Sequence, residues 1–318
     1  MTTEDGAEIA VYTRGEPDAV ATVLLCHGWT MSARDWRPHI DALTRPRRGF
    51  PAVRTVSYDQ RGHGRSTRGS AALDMALLGR DLARVLAEAA PADGPVVVIG
   101  HSMGGMAIQQ LAARQPALFG SRVTGVGLIA TCLKEVAEGL SVPYDRRSEA
   151  AVRRLGRARR RVAEGLLRSP RSARTVHRLV TGPLSHPTTA PLWRAVFGAG
   201  PHTDSVREGT RALRAIPAPA IAEFYAALTT HDCAGRLGAL ARVPTRILVG
   251  ALDCVTPPAQ ARRLADDIPG AQLQTVPGQG HDLPYERPVL VVETVHALLR
   301  ESPRDPSAQY ALSAPALR

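Results

Sequence analysis

Residues 96–116 read VVVIGHSMGGMAIQQLAARQP: an apolar, β-branched run, then a serine set between glycines, then an apolar pattern of helical period. Gly100-His101-Ser102-Met103-Gly104 fits G-x-S-x-G, directly after a strand pattern and directly before a helix, the context in which a sharp turn presents the serine hydroxyl. At such a turn the serine backbone is strained and neighbouring Cβ atoms would collide; the glycines supply the space. Ser102 is thereby expected at the C-terminal edge of a sheet, where open α/β sheets bind ligands. The positive end of a helix dipole beside it would favour an oxyanion.

Outward from this turn the chain alternates. Apolar strand-like runs occupy 20–28, 52–60, 94–102, 123–131, 244–252 and 271–277, with helical patterns at about 34–44, 72–90, 104–115, 258–267 and 287–300. Continuous β-branched runs of this length suit strands buried on both faces, as in a parallel sheet. The pattern predicts an α/β fold, a mostly parallel central sheet flanked by helices. Residues 8–15 read as an extra strand at an antiparallel edge. Between about Cys132 and Gly235 no convincing buried strand occurs, whereas helical spacing recurs, as at Val152, Leu155, Val162 and Leu166. The expected organisation is a first core part over 1–131, an inserted helical cap over 132–235, a second core part over 236–300, and a flexible tail over 301–318.

Composition narrows the class. The 318 residues are 44% hydrophobic, enough for one large core with an inserted lobe. No basic start leads into an apolar run, and no stretch approaches the roughly 20 apolar residues that cross a bilayer, so a cytoplasmic protein with no membrane partner is expected. Cys26, Cys132, Cys233 and Cys254 show no metal-ligand spacing; they read as reduced thiols, and no metal or organic cofactor is expected. The net charge of +11 comes almost wholly from arginine, Lys134 being the single lysine. With aromatics at 4% and no reader motif, that bias fits a GC-rich coding background, and no nucleic-acid partner is expected. Residues 146–178 concentrate twelve arginines against Glu149 and Glu164. That stretch reads as a solvated helix face or as a docking surface for an acidic carrier protein or an anionic acyl group.

A serine hydroxyl is a weak nucleophile, so Ser102 needs a base, and the base needs an orienting carboxylate. LVGALDCVTPP places Asp253 in a loop just after one buried strand, and VPGQGHDLPYERP places His281 just after the next. Parallel strands all end on one edge, so both loops emerge beside Ser102. Asp232 and Asp282 are rival acids, but Asp232 precedes its strand and Asp282 is too close in sequence to His281 to bond its ring easily. Oxyanion donors are expected from the Met103 N–H, the residue after the serine, and from the Trp29 N–H, where His27-Gly28 turns the chain after a strand. His27 itself reads as a packing and hydrogen-bonding residue of that turn.

Taken together, the HG-W turn, YDQRGHGRS (58–66), GHSMGG, GALD and GQGHDLPYERP resemble the α/β-hydrolase superfamily, in its branch of lidded serine esterases and cofactor-free haloperoxidase-like perhydrolases. The likeness runs over almost all of 8–300 except the cap. It implies an α/β-hydrolase fold with Ser102, Asp253 and His281 in the triad positions, and Trp29 and Met103 at the oxyanion. Asp59, Arg61 and His63 are expected to be scaffold.

Ser102 stands where epoxide hydrolases and haloalkane dehalogenases carry aspartate, which argues against both. Asp282-Leu283-Pro284 follow His281 where carbon–carbon bond hydrolases of this layout usually have a tryptophan. The implied reaction is cleavage of a carboxylic ester through an acyl-enzyme on a small-molecule substrate. Thioester, lactone or peptide-end cleavage, perhydrolysis, and a non-hydrolytic receptor or cyclase stand as alternatives. Leu133, Trp193, Phe197, Phe224 and Tyr225 are candidates to line an apolar pocket or to form cap core.

Overall fold

The computed structural model describes residues 1–45, 52–91, 94–134, 216 and 218–302. Among them, β1 (Val11–Arg14), β2 (Thr22–Cys26), β3 (Arg54–Tyr58), β4 (Val96–His101), β5 (Val123–Ile129), β6 (Thr245–Gly250) and β7 (Gln272–Val276) form one sheet. Its order is β1-β3-β2-β4-β5-β6-β7. β1 runs antiparallel to β3, with Val11 opposite Tyr58, and the remaining neighbours are parallel. From β2 the chain steps outward to β3, and from β4 it steps the other way to β5. Between β2 and β4 the winding therefore reverses, and the crevice at the C-terminal ends of those two strands is where such sheets place ligands.

β2 to β6 are buried on both faces whereas the edge strands β1 and β7 are largely exposed, and in the buried strands alternate residues serve different cores. Val96 and Val98 join Leu78, Leu82, Met106 and Leu111 of α2 (Met75–Ala89) and α3 (Met103–Arg114). Val97 and Ile99 join Ile40 and Leu43 of α1 (Arg37–Leu43) on the opposite face, with Val295 and Leu298 of the C-terminal helix, Pro288–Glu301. Each such aliphatic side chain contributes about 1.5–3 kcal/mol on burial, so the β4–α3 junction is anchored from both faces of the sheet. α2 starts where Asp74 accepts a hydrogen bond from the Leu77 N–H at 2.6 Å. The helix expected over 34–44 divides into a 3₁₀ turn, Ala33–Trp36, and α1, because Pro38 has no N–H for the α-helical ladder.

The chain leaves the sheet after β5 and returns beside its own point of departure. Cys233 N–H donates to Leu133 O at 3.1 Å, and Lys134 pairs antiparallel with Asp232. Behind this neck, the His231 ring lies 3.3 Å from Gln109 Oε1 and 3.4 Å from Gln110 Nε2 on α3. Most of the expected cap lies outside the described residues, together with its arginine-rich stretch, Trp193 and Phe197; so does the tail from 303. The part of the interval that is described ends in α4 (Ala218–Thr229), where Arg68 and Glu223 form an ion pair at 2.5 Å. α5 (Pro258–Asp267) follows β6, and α6 (Pro288–Glu301) closes the second face. No disulfide links the four cysteines, and no helix among the described residues is long and apolar enough to cross a membrane.

Candidate active site

Sterics set the position of Ser102. It has φ +50° and ψ −116°, a conformation costly for a residue with a side chain, at the junction of β4 and α3. Its own N–H donates to Ile129 O at 2.9 Å, and its carbonyl accepts from Thr131 Oγ1 at 2.8 Å and from Met106 N–H at 3.2 Å. A Cβ on Gly100 would lie 2.5 Å from Gly105 N, and one on Gly104 would run into the Cys26 carbonyl. The same absence of a side chain brings the first turn of α3 against the turn that follows β2.

Ser102 Oγ lies 3.0 Å from His281 Nε2, and His281 Nδ1 lies 2.9 Å from Asp253 Oδ2. The three side chains, contributed by the ends of β4, β6 and β7, are all buried. Asp253 Oδ1 accepts from the Val255 and Thr256 amides, both at 2.8 Å. Asp253 Oδ2 accepts from the Thr256 hydroxyl at 2.9 Å, and that same hydroxyl oxygen lies 3.2 Å from His281 Nδ1. Burial disfavours the imidazolium form of His281, but the Asp253 carboxylate at Nδ1 outweighs burial and holds its pKa above the ordinary imidazole value.

Two further groups aim His281. His101 Nε2–H donates to the His281 carbonyl at 3.0 Å; burial and the neighbouring His281 push the His101 pKa down to about 3, so it stays a neutral donor. Glu286 spans the loop from the other side, accepting from the Gly280 N–H at 2.8 Å and from the Asp282 N–H at 3.1 Å. The rival acids stand apart from the ring. Asp232 caps Ala234 N–H at 2.9 Å in the neck, and Asp282 is buried with its pKa pushed up to about 8, by burial first and then by Asp35 and Glu286. Neither is bonded to the His281 ring.

His27 orients the peptide that carries the Trp29 N–H. Its Nδ1–H donates to Gly28 O at 2.7 Å, and its Nε2 accepts from Gln60 N–H at 2.8 Å. In a trans peptide the C=O and N–H point oppositely, so holding the Gly28 carbonyl fixes the direction of the Trp29 amide. His63 Nε2 accepts from Thr30 N–H at 3.3 Å, fixing the following peptide, where Thr30 has φ +62°. The Trp29 and Met103 amides donate no hydrogen bond among the described residues.

The YDQRGHGRS turn spends its polar atoms on the fold. Asp59 accepts from the Ala33 and Arg65 amides at 2.8 and 2.9 Å, and from Tyr12 OH. Arg61, wholly buried, pairs with Asp81 at 2.6 Å and Asp5 at 2.8 Å. Of the pocket candidates, Leu133, Phe224 and Tyr225 are buried, and the Phe224 ring packs edge-on against His63 with centroids 4.6 Å apart. No group of His, Cys, Asp and Glu side chains among the described residues could hold a metal ion.

The family model of the alpha/beta hydrolase fold matches residues 21–288. The chain belongs to that family. A bifunctional esterase/perhydrolase of Acinetobacter calcoaceticus is 38% identical to this hydrolase-fold chain over 116 residues, 36% of this chain and 39% of that protein. The chain thus matches well under half the length of that relative. A putative carbamate hydrolase, RutD, of Variovorax paradoxus is 29% identical over 264 residues, 81% of this chain and 84% of that protein. A hydrolase of known structure from Pseudomonas aeruginosa PA01 superposes with a TM-score of 0.69 at 23% identity, over 94% of this chain and 97% of that one.

Sequence reasoning about this alpha/beta hydrolase passed over Thr256, Glu286 and the part played by His101. Thr256 had a readable signal, since an aspartate followed three residues later by a threonine, just before two prolines, is the spacing of a side chain capping its own loop. Glu286 lies five residues beyond His281, at a spacing that a single helical turn folds back, Leu283–Glu286. His101 stood inside the quoted motif, but its partner is 180 residues away.

Proposed function

We propose that this chain is a serine hydrolase that cleaves a carboxylic ester or related acyl bond. His281 Nε2 takes the proton of Ser102 as Oγ attacks the carbonyl carbon. The tetrahedral oxyanion is received by the Trp29 and Met103 amides, and Asp253 stabilises the imidazolium formed at His281. His281 then protonates the leaving alcohol, and water, deprotonated in turn by His281, releases the acid from the acyl-enzyme. The observation that carries this reading is the unbroken line of hydrogen bonds, 3.0 Å from Ser102 to His281 and 2.9 Å from His281 to Asp253.

Two lines of support are independent of those distances. His27 and His63 brace the peptides on either side of Trp29, and the first turn of α3 abuts that same loop, which supports reading the Trp29 and Met103 amides, without an acceptor among the described residues, as the oxyanion donors. The named relatives include an esterase/perhydrolase and a putative carbamate hydrolase. The longer alignment with the carbamate hydrolase makes carbamates the second substrate class, since nucleophile, base and oxyanion site serve that carbonyl equally. The paired neck at Leu133 and Cys233 supports reading 132–235 as an inserted cap over the site.

A fluorophosphonate probe is expected to label the unsubstituted protein and to leave Ser102→Ala unlabelled. Short p-nitrophenyl esters and an aryl carbamate, compared on the same preparation, rank the two substrate classes. Equal labelling of both proteins would overturn the assignment of the nucleophile.

A further inference from the structure

Thr256 touches both oxygens of Asp253 by two different groups. Its N–H holds Oδ1 at 2.8 Å and its hydroxyl holds Oδ2 at 2.9 Å. The residues after it are Pro257 and Pro258, which have no N–H, so Thr256 is the last backbone donor this loop can offer. A residue before proline is confined to extended backbone, which makes Thr256 a rigid mount. Its side chain is fully buried.

The hydroxyl is redundant for closing the loop. Two amides, from Val255 and Thr256, already satisfy Oδ1 and cap the turn. The hydroxyl acts on Oδ2, the oxygen that faces His281. Oδ2, Nδ1 and the threonine Oγ1 form a near-equilateral triangle with sides of 2.9, 2.9 and 3.2 Å. A hydroxyl has one proton. Because it goes to Oδ2, the oxygen turns a lone pair toward Nδ1 and favours the tautomer with hydrogen on Nδ1. That tautomer leaves Nε2 free to accept from Ser102.

We infer that Thr256 is a positioning residue for the acid–base pair: its hydroxyl locks the His281 tautomer and, by sharing Asp253 Oδ2, weakens that carboxylate's hold on the imidazolium. This rests on His281 being the base for Ser102. Without the hydroxyl, Asp253 Oδ2 is left to Nδ1 alone, the imidazolium is better stabilised, and His281 stays protonated to higher pH. The other groups facing His281 are Ser102, the His101 ring at 5.1 Å, and the carboxyls of Asp282 and Glu286 on its own loop; a change at Thr256 alters none of them.

The experiment is an NMR titration of histidine-labelled full-length protein, with kcat and KM for a p-nitrophenyl ester measured across pH. Thr256→Val keeps the shape and removes the hydroxyl. It is expected to raise the His281 pKa by about 0.5–1 unit and to lower kcat at neutral pH by up to about three- to tenfold, with KM little changed. Thr256→Ser restores the hydroxyl and should return both to the unsubstituted values. A His281 pKa that is unchanged or lower in Thr256→Val, or Thr256→Ser behaving like Thr256→Val, overturns the inference. Thr256→Ala is read in the same titration should the valine variant not fold. The titration reports on His281 whether or not the protein hydrolyses esters. Ester hydrolysis surviving in Ser102→Ala would therefore remove the serine-hydrolase reading separately.

Discussion

Ser102 and the Asp253–His281 pair face each other across 3.0 Å, yet the two sides are built differently. On the serine side, shape does the positioning: Gly100 and Gly104 leave room for nothing beyond hydrogen, and two cores grip the β4–α3 junction. On the acid–base side, carboxylates gather loop amides: Asp253 those of Val255 and Thr256, and Glu286 those of Gly280 and Asp282. Close packing has no titrating group and little response to pH or salt, whereas a loop tied down by carboxylates responds to both. Ser102 is thus held by shape, and His281 by groups that titrate.

Substitutions on each side should fail in different ways. The largest effect expected is loss of chemistry without loss of fold: Ser102→Ala should lower kcat about 10⁴- to 10⁶-fold with an unshifted thermal melt. Next comes loss of fold. Gly104→Val drives a side chain into the Cys26 carbonyl and should cost more than about 3 kcal/mol, seen as insoluble expression or a collapsed urea midpoint. Glu286→Ala, on the other side, strips acceptors from the Gly280 and Asp282 amides, with an expected cost of about 1–3 kcal/mol and a roughly 10- to 100-fold drop in kcat. Were Gly104→Val well folded, or Glu286→Ala neutral in rate, the contrast between the two sides would dissolve.

The pH response sharpens the contrast. His281 must be neutral to accept a proton, and its pKa is raised, so kcat/KM should fall with acid through an apparent pKa above the ordinary 6.5. In stability the same shift has the opposite sign. A raised folded pKa contributes stability below the unfolded value, lost as pH rises through the folded one. His39, His63 and His101 are depressed to about 4, 3 and 3, chiefly by burial, so the stability tied to their neutral forms is lost as pH falls from about 6.5 toward those values. His231, lowered to about 4, and His27, lowered by burial, act in the same sense, so five depressed histidines outweigh the raised His281, Asp282 and Asp81. Urea midpoints should therefore decline steadily between pH 7 and 4, and a midpoint that rises over that range would contradict the assignment. The smallest effect is expected at the exposed Arg68–Glu223 pair, where Arg68→Ala should cost less than about 1 kcal/mol in a double-mutant cycle.

What the sequence made legible follows the same division. Apolar runs marked the strands, and the helix expected over 258–267 matches α5 residue for residue. The edge on which Ser102, Asp253 and His281 gather follows from parallel strands ending together, a global rule with a local signature. Illegible were the bonds that aim His281. The His101–His281 contact joins residues 180 apart, and nothing in either neighbourhood announces the other. Pro38, which splits the first helical segment into two, was visible in the sequence but needed the geometry of the turn before it to be decisive.

At the neck, Lys134 and Asp232 meet as neighbours although almost a hundred residues separate them in the sequence. The sheet thus presents the same pair of anchor points whatever is strung between them. By polymer statistics, doubling the length of a flexible tether costs only about 0.6 kcal/mol. Closing the chain between these two points therefore depends only weakly on how many residues join them.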